Sequence, residues 1–189
     1  MNTADVVITS FYTNTWHYAD HARRLAAECD RLGLEHHIVE RRDAGGYLAN
    51  CRQKPVHIAE TLEALGRPLL WVDVDGSVLR VPTDLPDGVD FAAVPMAGIR
   101  TRTWHVGTLY FRPTRAAKEL LALWVGALGH ESDEAALDVA WKSGRWHGTH
   151  AALPTTYMCY GRWADVADPV VMHRGSHSKA KRIYQAARG

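Results

Sequence analysis

The feature that most constrains the fold is the alternation of two residue patterns along the chain. Short apolar runs rich in Val, Ile and Phe are typical of buried strands, and apolar residues spaced three and four apart are typical of helices that bury one face. The strand pattern occurs at Val6–Phe11, Leu34–Val39, Leu69–Val72, Val89–Val94 and Val106–Phe111, and the helix pattern at Trp16–Leu32, Pro55–Leu65, Thr114–Leu128 and Ser132–Lys142. Strands that alternate with helices predict an α/β fold in which a mostly parallel central sheet is flanked by helices.

The length and composition predict one globular domain. The chain has 189 residues, of which 47% are hydrophobic and 23% charged, and its net charge of +1 argues against a polyanion binder. It lacks an apolar run of about eighteen residues, and its N-terminal sequence lacks the features of a signal peptide. Three widely spaced cysteines, Cys29, Cys51 and Cys159, fit a reducing compartment. We therefore expect a cytoplasmic protein without a membrane span.

Two acidic residues directly follow the third predicted strand. Asp73 and Asp75 lie in the sequence WVDVDGS, and residues two apart in an extended segment point to the same side. Two carboxylates held close together repel each other unless a cation lies between them, and oxygen ligands suit Mg²⁺ or Mn²⁺. Ligands of α/β folds bind beyond the carboxyl ends of the strands, where Tyr12 and Thr13 are also predicted. The pattern indicates a ligand site at this edge, although strand-end carboxylates can also simply cap a turn.

The same segment resembles the catalytic loop of haloacid-dehalogenase-type phosphatases. Four apolar residues followed by DVDGS are similar to that loop, which implies Asp73 as nucleophile and Asp75 as general acid. In that superfamily the loop normally follows the first strand, whereas here about seventy residues of strand and helix pattern come first. A later acidic motif is also needed, and Asp165 and Asp168 offer it only at poor spacing. A phosphatase is therefore the alternative interpretation.

Five segments, in order along the chain, resemble motifs of nucleotide-sugar glycosyltransferases of the GT-A type. Residues 54–79 resemble a KP helix followed by a strand that ends in D-x-D. GTLYF at 107–111 resembles the family's later strand, in which Gly and Thr precede apolar residues and Phe. SDEAALDVAW at 132–141 resembles an acidic helix start, and LPTTY at 153–157 resembles the segment after it. VVMHRGSHSK at 170–179 resembles the closing His…Gly…Lys element of retaining, glycogenin-like enzymes. The resemblance implies a single GT-A, Rossmann-like domain that transfers a sugar from a nucleoside-diphosphate donor with retention of configuration.

The resemblance also implies a role for each matched residue. Three residues would hold Mn²⁺ or Mg²⁺ against the diphosphate: Asp73, Asp75 and His173. Three would contact the phosphates: Lys54, Gly175 and Lys179. Two would contact the nucleoside: Tyr12 and Thr13. Two would bind hydroxyls of the donor sugar or stabilise positive charge at its anomeric carbon: Asp133 and Glu134. Uridine is the commonest nucleoside in this family, so the expected donor is a UDP-sugar, and the acceptor is not implied.

Two departures from the family pattern concern the geometry around the donor. His105 and Val106 stand where the family often has Asn or Ser before the strand. Gly175 lies one place earlier than the glycine of the usual H-x-x-G arrangement.

The C-terminal segment 173–189 contains five Lys or Arg residues and no acidic residue. We expect a catalytic domain at 1–172 and, after it, this basic segment, which either closes over the diphosphate or is a solvated tail. A non-catalytic module that binds nucleic acid through the segment is a further alternative, and so is a glycosyltransferase with a nucleic-acid acceptor. Two tryptophans are expected in the core: Trp71 and Trp124. Three beside predicted loops are candidate acceptor contacts: Trp104, Trp146 and Trp163.

Overall fold

The computed structural model describes residues 5–15, 17–96, 102–129, 132–159 and 166–173. Gly175 and Lys179, two of the predicted phosphate contacts, lie outside the described residues, and so does Trp163. None of the helices within these ranges combines the length and the apolar character needed to cross a membrane.

A six-stranded sheet lies at the centre of the fold. The strands of the described residues are β1 (Val7–Thr13), β2 (His36–Arg41), β3 (Leu69–Val72), β4 (Gly76–Val78), β5 (Phe91–Pro95), β6 (Trp104–Phe111), β7 (His150–Ala152) and β8 (Val171–His173). The central sheet has the order β2-β1-β3-β6-β5-β7, and β4 and β8 form a second, two-stranded sheet. Pairs β1–β2, β1–β3 and β5–β7 are parallel, whereas β6 runs antiparallel to both of its neighbours, β3 and β5. The predicted α/β fold with a mostly parallel sheet is therefore confirmed, and the reversal of β6 is a feature that the sequence patterns did not reveal.

The helices cover both faces of this sheet. They are α1 (Tyr18–Arg31), α2 (Tyr47–Cys51), α3 (Gln53–Leu65), α4 (Arg115–Gly126) and α5 (Asp133–Lys142). Thr114 and Ser132, the first residues of two predicted helices, are the N-caps of α4 and α5, because their side chains accept hydrogen bonds from the backbone N–H groups of Ala117 and Ala135. Helix α3 ends at Gly66, whose φ of 59° is the left-handed conformation that glycine adopts at low cost.

Two apolar clusters hold the layers together, one on each face of the sheet. On one face, Leu25 and Cys29 of α1 pack with residues of β4, β8 and the adjoining loops. On the other face, the buried sides of α3, α4 and α5 pack together against the sheet, with Trp71 and Trp124 in this second cluster. Both tryptophans are at most 2% exposed, which confirms their expected place in the core.

The topology brings several chain segments to one edge of the sheet. The carboxyl ends of the parallel strands β1 and β3 meet there, and the reversed strand β6 contributes its amino-terminal half, with Thr108 opposite Val72. The small sheet adds β8, whose register places His173 opposite Gly76. Residues far apart in the sequence therefore converge beyond the end of β3.

Candidate functional site

The loop after β3 carries Asp73 and Asp75 on a tight, anchored turn. All four residues of β3 are buried, so the strand fixes where the loop begins. The backbone N–H of Asp73 donates to the Gly107 carbonyl at 2.8 Å, and the N–H of Gly76 donates to the Asp73 carbonyl at 2.7 Å. These bonds hold both carboxylates at the carboxyl edge of the sheet, where the sequence predicted them.

Strand β8 delivers the third predicted ligand. His173 pairs with Gly76 across the small sheet, and its backbone N–H donates to the Cys159 carbonyl at 2.9 Å. The potential ligand atoms of Asp73, Asp75 and His173 all lie within 4.8 Å of one another. Two carboxylates and one imidazole form a donor set that suits Mn²⁺ or Mg²⁺. The residues present therefore fit a divalent metal, and in the part of the chain that the structure describes no other such group of three acidic, His or Cys side chains occurs.

Two glycines make room for this close approach. A Cβ atom at Gly107 would lie 2.8 Å from Cε1 of His173, and a Cβ atom at Gly76 would lie 2.8 Å from Cγ1 of Val72. Real Cβ atoms do not tolerate such distances, so a side chain at either position would displace its neighbours. The glycines of DVDGS and GTLYF thus have a packing reason that is independent of any ligand.

The imidazole of His173 is buried and held by neighbouring side chains. Its Nε2 lies 2.7 Å from Oγ1 of Thr108, and the ring of His105 packs against it with a centroid distance of 5.0 Å. Burial lowers the pKa of His173, and the nearby carboxylates of Asp73 and Asp75 only partly oppose that effect. A neutral imidazole is the form that can bind a metal ion.

A buried lysine links the metal-ligand candidates to the predicted sugar-binding carboxylate. Nζ of Lys54 lies 2.9 Å from Oδ1 of Asp73 and 2.7 Å from Oδ2 of Asp133, and it donates to the Val106 carbonyl at 3.1 Å. Its side chain is only 6% exposed. Burial alone would lower the pKa of Lys54, but the carboxylates of Asp133 and Asp73 outweigh burial and raise it. The ammonium group thus lies among two carboxylates and one backbone carbonyl.

The environment of Asp73 follows from the same bridge. Nε1 of Trp71 donates to Oδ1 of Asp73 at 2.9 Å, and Nζ of Lys54 lies 5.5 Å from the centre of the indole ring. Burial raises the pKa of the Asp73 carboxyl, yet Lys54 holds it below its usual range. The structure thus makes Lys54 an internal bridge. Contact with a phosphate, as the sequence suggested, requires Lys54 to exchange one of its present partners.

The remaining predicted residues divide between the site and its surroundings. Asp133 is buried in the first turn of α5, and its carbonyl accepts a 2.7 Å hydrogen bond from Nε1 of Trp124. Glu134 follows in the same turn and is half-buried. At the end of β1, Tyr12 is half-buried and Thr13 buried, with Oγ1 of Thr13 2.8 Å from Oγ1 of Thr15. The fold thus brings Asp133 into contact with the site through Lys54 and places Tyr12 and Thr13 at the same edge of the sheet.

Two residues of the site were missed by sequence reasoning. Arg24 of α1 donates to the carbonyls of Asp75 and Gly76, about fifty residues further along the chain. Cys51 lies near Asp133 and Lys54, and burial, followed by the charge of Asp133, raises its pKa to about 11, so the thiol stays neutral. No local motif marks either residue, since only the fold brings them to the loop.

Two of the three candidate acceptor tryptophans, Trp104 and Trp146, lie within the described residues and have structural contacts. Trp104 is buried, with its ring perpendicular to Trp141 at a centroid distance of 5.0 Å. Trp146 is half-buried, and its Nε1 donates to the Ala116 carbonyl at 2.7 Å. Burial of Trp104 leaves it little surface for an acceptor, which corrects the expectation for Trp104 alone, whereas Trp146 and Trp163 stay predictions.

Comparison with known proteins identifies relatives only at the level of structure. No protein-family model matches the chain, and no curated protein sequence matches it. The fold is similar to the crystal structure of a glycosyltransferase involved in the glycosylation of the major capsid of PBCV-1. That likeness has a TM-score of 0.70 at 15% identity and covers 94% of this chain and 98% of the other.

Two further glycosyltransferases share the fold. GlyE of Streptococcus pneumoniae TIGR4 matches 97% of this chain at 13% identity with a TM-score of 0.59, and the match spans 60% of GlyE. The galactosyltransferase LgtC, solved with donor and acceptor sugar analogues, matches 90% of this chain and 87% of its own at 11% identity, with a TM-score of 0.52. At these identities the likeness shows the fold, and this chain therefore has the GT-A-like fold of these glycosyltransferases.

Proposed function

We propose that this protein is a divalent-metal-dependent glycosyltransferase that moves a sugar from a nucleoside-diphosphate donor to an acceptor. The observation that carries this proposal is the convergence of Asp73, Asp75 and His173 at the carboxyl edge of a sheet with the GT-A-like fold. A UDP-sugar is the favoured donor, Mn²⁺ or Mg²⁺ the metal, and retention of anomeric configuration the outcome. The resemblance of the segment 170–179 to retaining enzymes supports that last choice.

The proposed reaction separates charge, and the site has groups that would stabilise the negative charge and groups that would stabilise the positive charge. Breaking the glycosyl–phosphate bond leaves negative charge on the diphosphate and positive charge on the sugar ring. A divalent metal held by Asp73, Asp75 and His173 would supply positive charge beside the diphosphate. The carboxylate of Asp133, held in place by Lys54, would stabilise positive charge at the anomeric carbon, with Glu134 as its neighbour.

The two ends of the donor would be held by different segments. Tyr12 and Thr13, at the end of β1, would contact the nucleoside. The basic segment 173–189 starts at His173, so we assign it as a lid separate from the domain 1–172, with Gly175 and Lys179 against the diphosphate. Such a closure would exclude water and limit hydrolysis of the donor.

The phosphatase alternative has less support from the described residues. The D-x-D loop follows the third strand of the chain. Oδ1 of Asp73, the would-be nucleophile, is already engaged by Trp71 and by Lys54. The nucleic-acid alternatives depend on the basic segment beyond residue 173, which lies outside the described residues, so they stay predictions.

Calorimetric titration of UDP and of GDP into the protein, first with Mn²⁺ and then with EDTA, tests the proposal. We expect binding of UDP that requires the metal and is lost in Asp73→Asn and Asp75→Asn. Asp87→Asn, an exposed residue beyond the opposite end of β3, is the matched control and should bind as the wild type does.

Nucleotide affinity that is the same with EDTA, or the same in both loop variants, would refute the metal role. Failure of both nucleotides to bind, combined with hydrolysis of a chromogenic phosphate ester that is lost in Asp73→Asn, would favour the phosphatase instead.

A further inference from the structure

We infer that Arg24 and Glu28 of helix α1 are positioning residues that set the geometry of the metal-binding loop. The inference rests on the proposed function, since it concerns how the loop presents Asp75 and His173 to a metal ion. It is carried by contacts between α1 and the segment 75–78.

Arg24 holds the start of this segment by its backbone. Its Nη2 atom donates to the carbonyl of Asp75 at 3.1 Å and to the carbonyl of Gly76 at 2.9 Å. Two hydrogen bonds from one guanidinium to consecutive carbonyls fix the orientation of the peptide planes between Asp75 and Ser77. The direction in which the Asp75 side chain leaves the loop depends on that orientation.

Glu28 holds the end of the same segment. Its Oε2 accepts a 2.9 Å hydrogen bond from the backbone N–H of Val78, and its Oε1 lies 3.6 Å from Nε of Arg24. The two side chains lie four residues apart on one face of α1, so they act together. Leu25 and Cys29, fully buried on the same helix, fix α1 against the core. Helix α1 therefore holds the segment 75–78 by hydrogen bonds at both of its ends.

The contacts of Arg24 and Glu28 also affect the position of His173, because the small sheet connects the two. Gly76, Ser77 and Val78 pair with His173, Met172 and Val171 of β8 in antiparallel register. A shift of the segment 75–78 would therefore move Asp75 directly and His173 through its strand. Outer partners that orient ligands typically change metal affinity 10–100-fold when they are removed, which is the effect expected here.

The guanidinium of Arg24 reaches partners in three directions: Nη2 donates to both carbonyls, Nη1 lies 3.0 Å from Nδ1 of His21, and Nε lies 3.6 Å from Oε1 of Glu28. Lysine keeps the positive charge, but its single ammonium nitrogen cannot occupy all three positions. Arg24→Lys therefore separates geometry from charge. Arg23→Lys is the matched control, because Arg23 is exposed on the same helix and forms an ion pair with Asp20, away from the loop. Glu28→Gln is a milder second variant, since the amide oxygen can still accept from Val78.

The test is calorimetric titration of Mn²⁺ alone into the 189-residue chain and each variant, with thermal unfolding of each measured in EDTA. We expect Arg24→Lys to weaken Mn²⁺ binding about tenfold or more. The effect of Glu28→Gln should be smaller and that of Arg23→Lys negligible. In Arg24→Lys, the Mn²⁺ concentration needed for half-maximal UDP binding should rise by the same factor. UDP binding itself should be restored at high Mn²⁺ concentration.

A lower melting temperature with unchanged Mn²⁺ affinity in both Arg24→Lys and Glu28→Gln would show a merely structural role and overturn the inference. Unchanged affinity and unchanged melting temperature would overturn it as well. Absence of Mn²⁺ binding to the wild type is a distinct outcome, because it removes the proposed metal dependence itself and with it the geometry that Arg24 would set.

Discussion

At the scale of single residues, the Lys54 ammonium is the group on which most of the site depends. It lies between two carboxylates with different surroundings. The side chain of Asp73 is 34% exposed, whereas that of Asp133 is 7% exposed. Loss of the lysine would therefore leave Asp133 as a buried charge without its compensating partner, and removal of one member of a buried pair costs about 3–5 kcal/mol.

Lys54→Met should lower the free energy of unfolding by about that amount, measured by urea denaturation. Adding Asp133→Asn should recover part of the loss, because the amide has nearly the same shape and no charge. A double-mutant cycle isolates the interaction between the two residues. Additive losses in Lys54→Met, Asp133→Asn and the double variant would contradict the bridge.

His57 is a second buried titratable residue, and it has no role in the proposed site. It is 2% exposed, and its Nε2 lies 3.0 Å from Oγ1 of Thr9. Burial, with smaller contributions from Arg41 and His37, lowers its pKa to about 3, against 6.5 for the unperturbed residue. The unfolded chain therefore binds the proton more tightly than the folded one. Stability is fully present above pH 6.5 and is lost as the pH falls from there toward 3.

This difference predicts a loss of about 2 kcal/mol between pH 7.5 and pH 5 that depends on His57. Urea denaturation of the wild type and of His57→Gln at both pH values measures it. His57→Gln should lose less stability over that interval, whereas His147→Gln, at an exposed position, should behave as the wild type does. An equal loss in His57→Gln would show that other groups cause the acid sensitivity.

At the scale of elements, the site depends on the close approach of β6 and β8. A methyl group at Gly107 would meet Cε1 of His105 at 2.5 Å and Cε1 of His173 at 2.8 Å. Gly107→Ala should therefore push the His173 ring away, at a cost of about 1–3 kcal/mol in stability, and weaken Mn²⁺ binding. Gly126→Ala is the control, because it ends α4 in open space and should be neutral or slightly stabilising. Equal Mn²⁺ affinity in both variants would contradict this account.

The elements also show how far sequence patterns reach. Asp73 and Asp75 could be placed at the sheet edge because they directly follow a buried four-residue strand, which is local information. Helices α4 and α5 could be placed because Thr114 and Ser132 cap them. The three-residue strands β4 and β7 were missed, since strands this short have no measurable alternation. The reversal of β6 and the contacts of Arg24 depend on residues far apart in the chain, which local patterns do not relate.

At the scale of the whole molecule, the first and the last strand of the described residues meet at one edge of the sheet. Strand β1 opens the fold beside β3, and β8 returns the chain to the same edge at His173. His173, the last described residue, is itself a member of the candidate metal group. The next basic residues of the proposed lid include Lys179 and Lys181, which share charge and length and lie two positions apart.

This arrangement predicts that Lys179→Ala weakens UDP binding about tenfold or more while uridine binding stays unchanged, since a charge-assisted hydrogen bond to a phosphate contributes about 1.5–3 kcal/mol. Lys181→Ala is the matched control and should change UDP binding less. Calorimetry with UDP and with uridine, both at saturating Mn²⁺, gives the two affinities.

An equal loss of affinity for UDP and for uridine would mean that the segment contacts the nucleoside or acts on the fold. Equal effects of Lys179→Ala and Lys181→Ala on UDP would mean that the segment acts only through its general positive charge, because a specific contact depends on position and a diffuse charge does not.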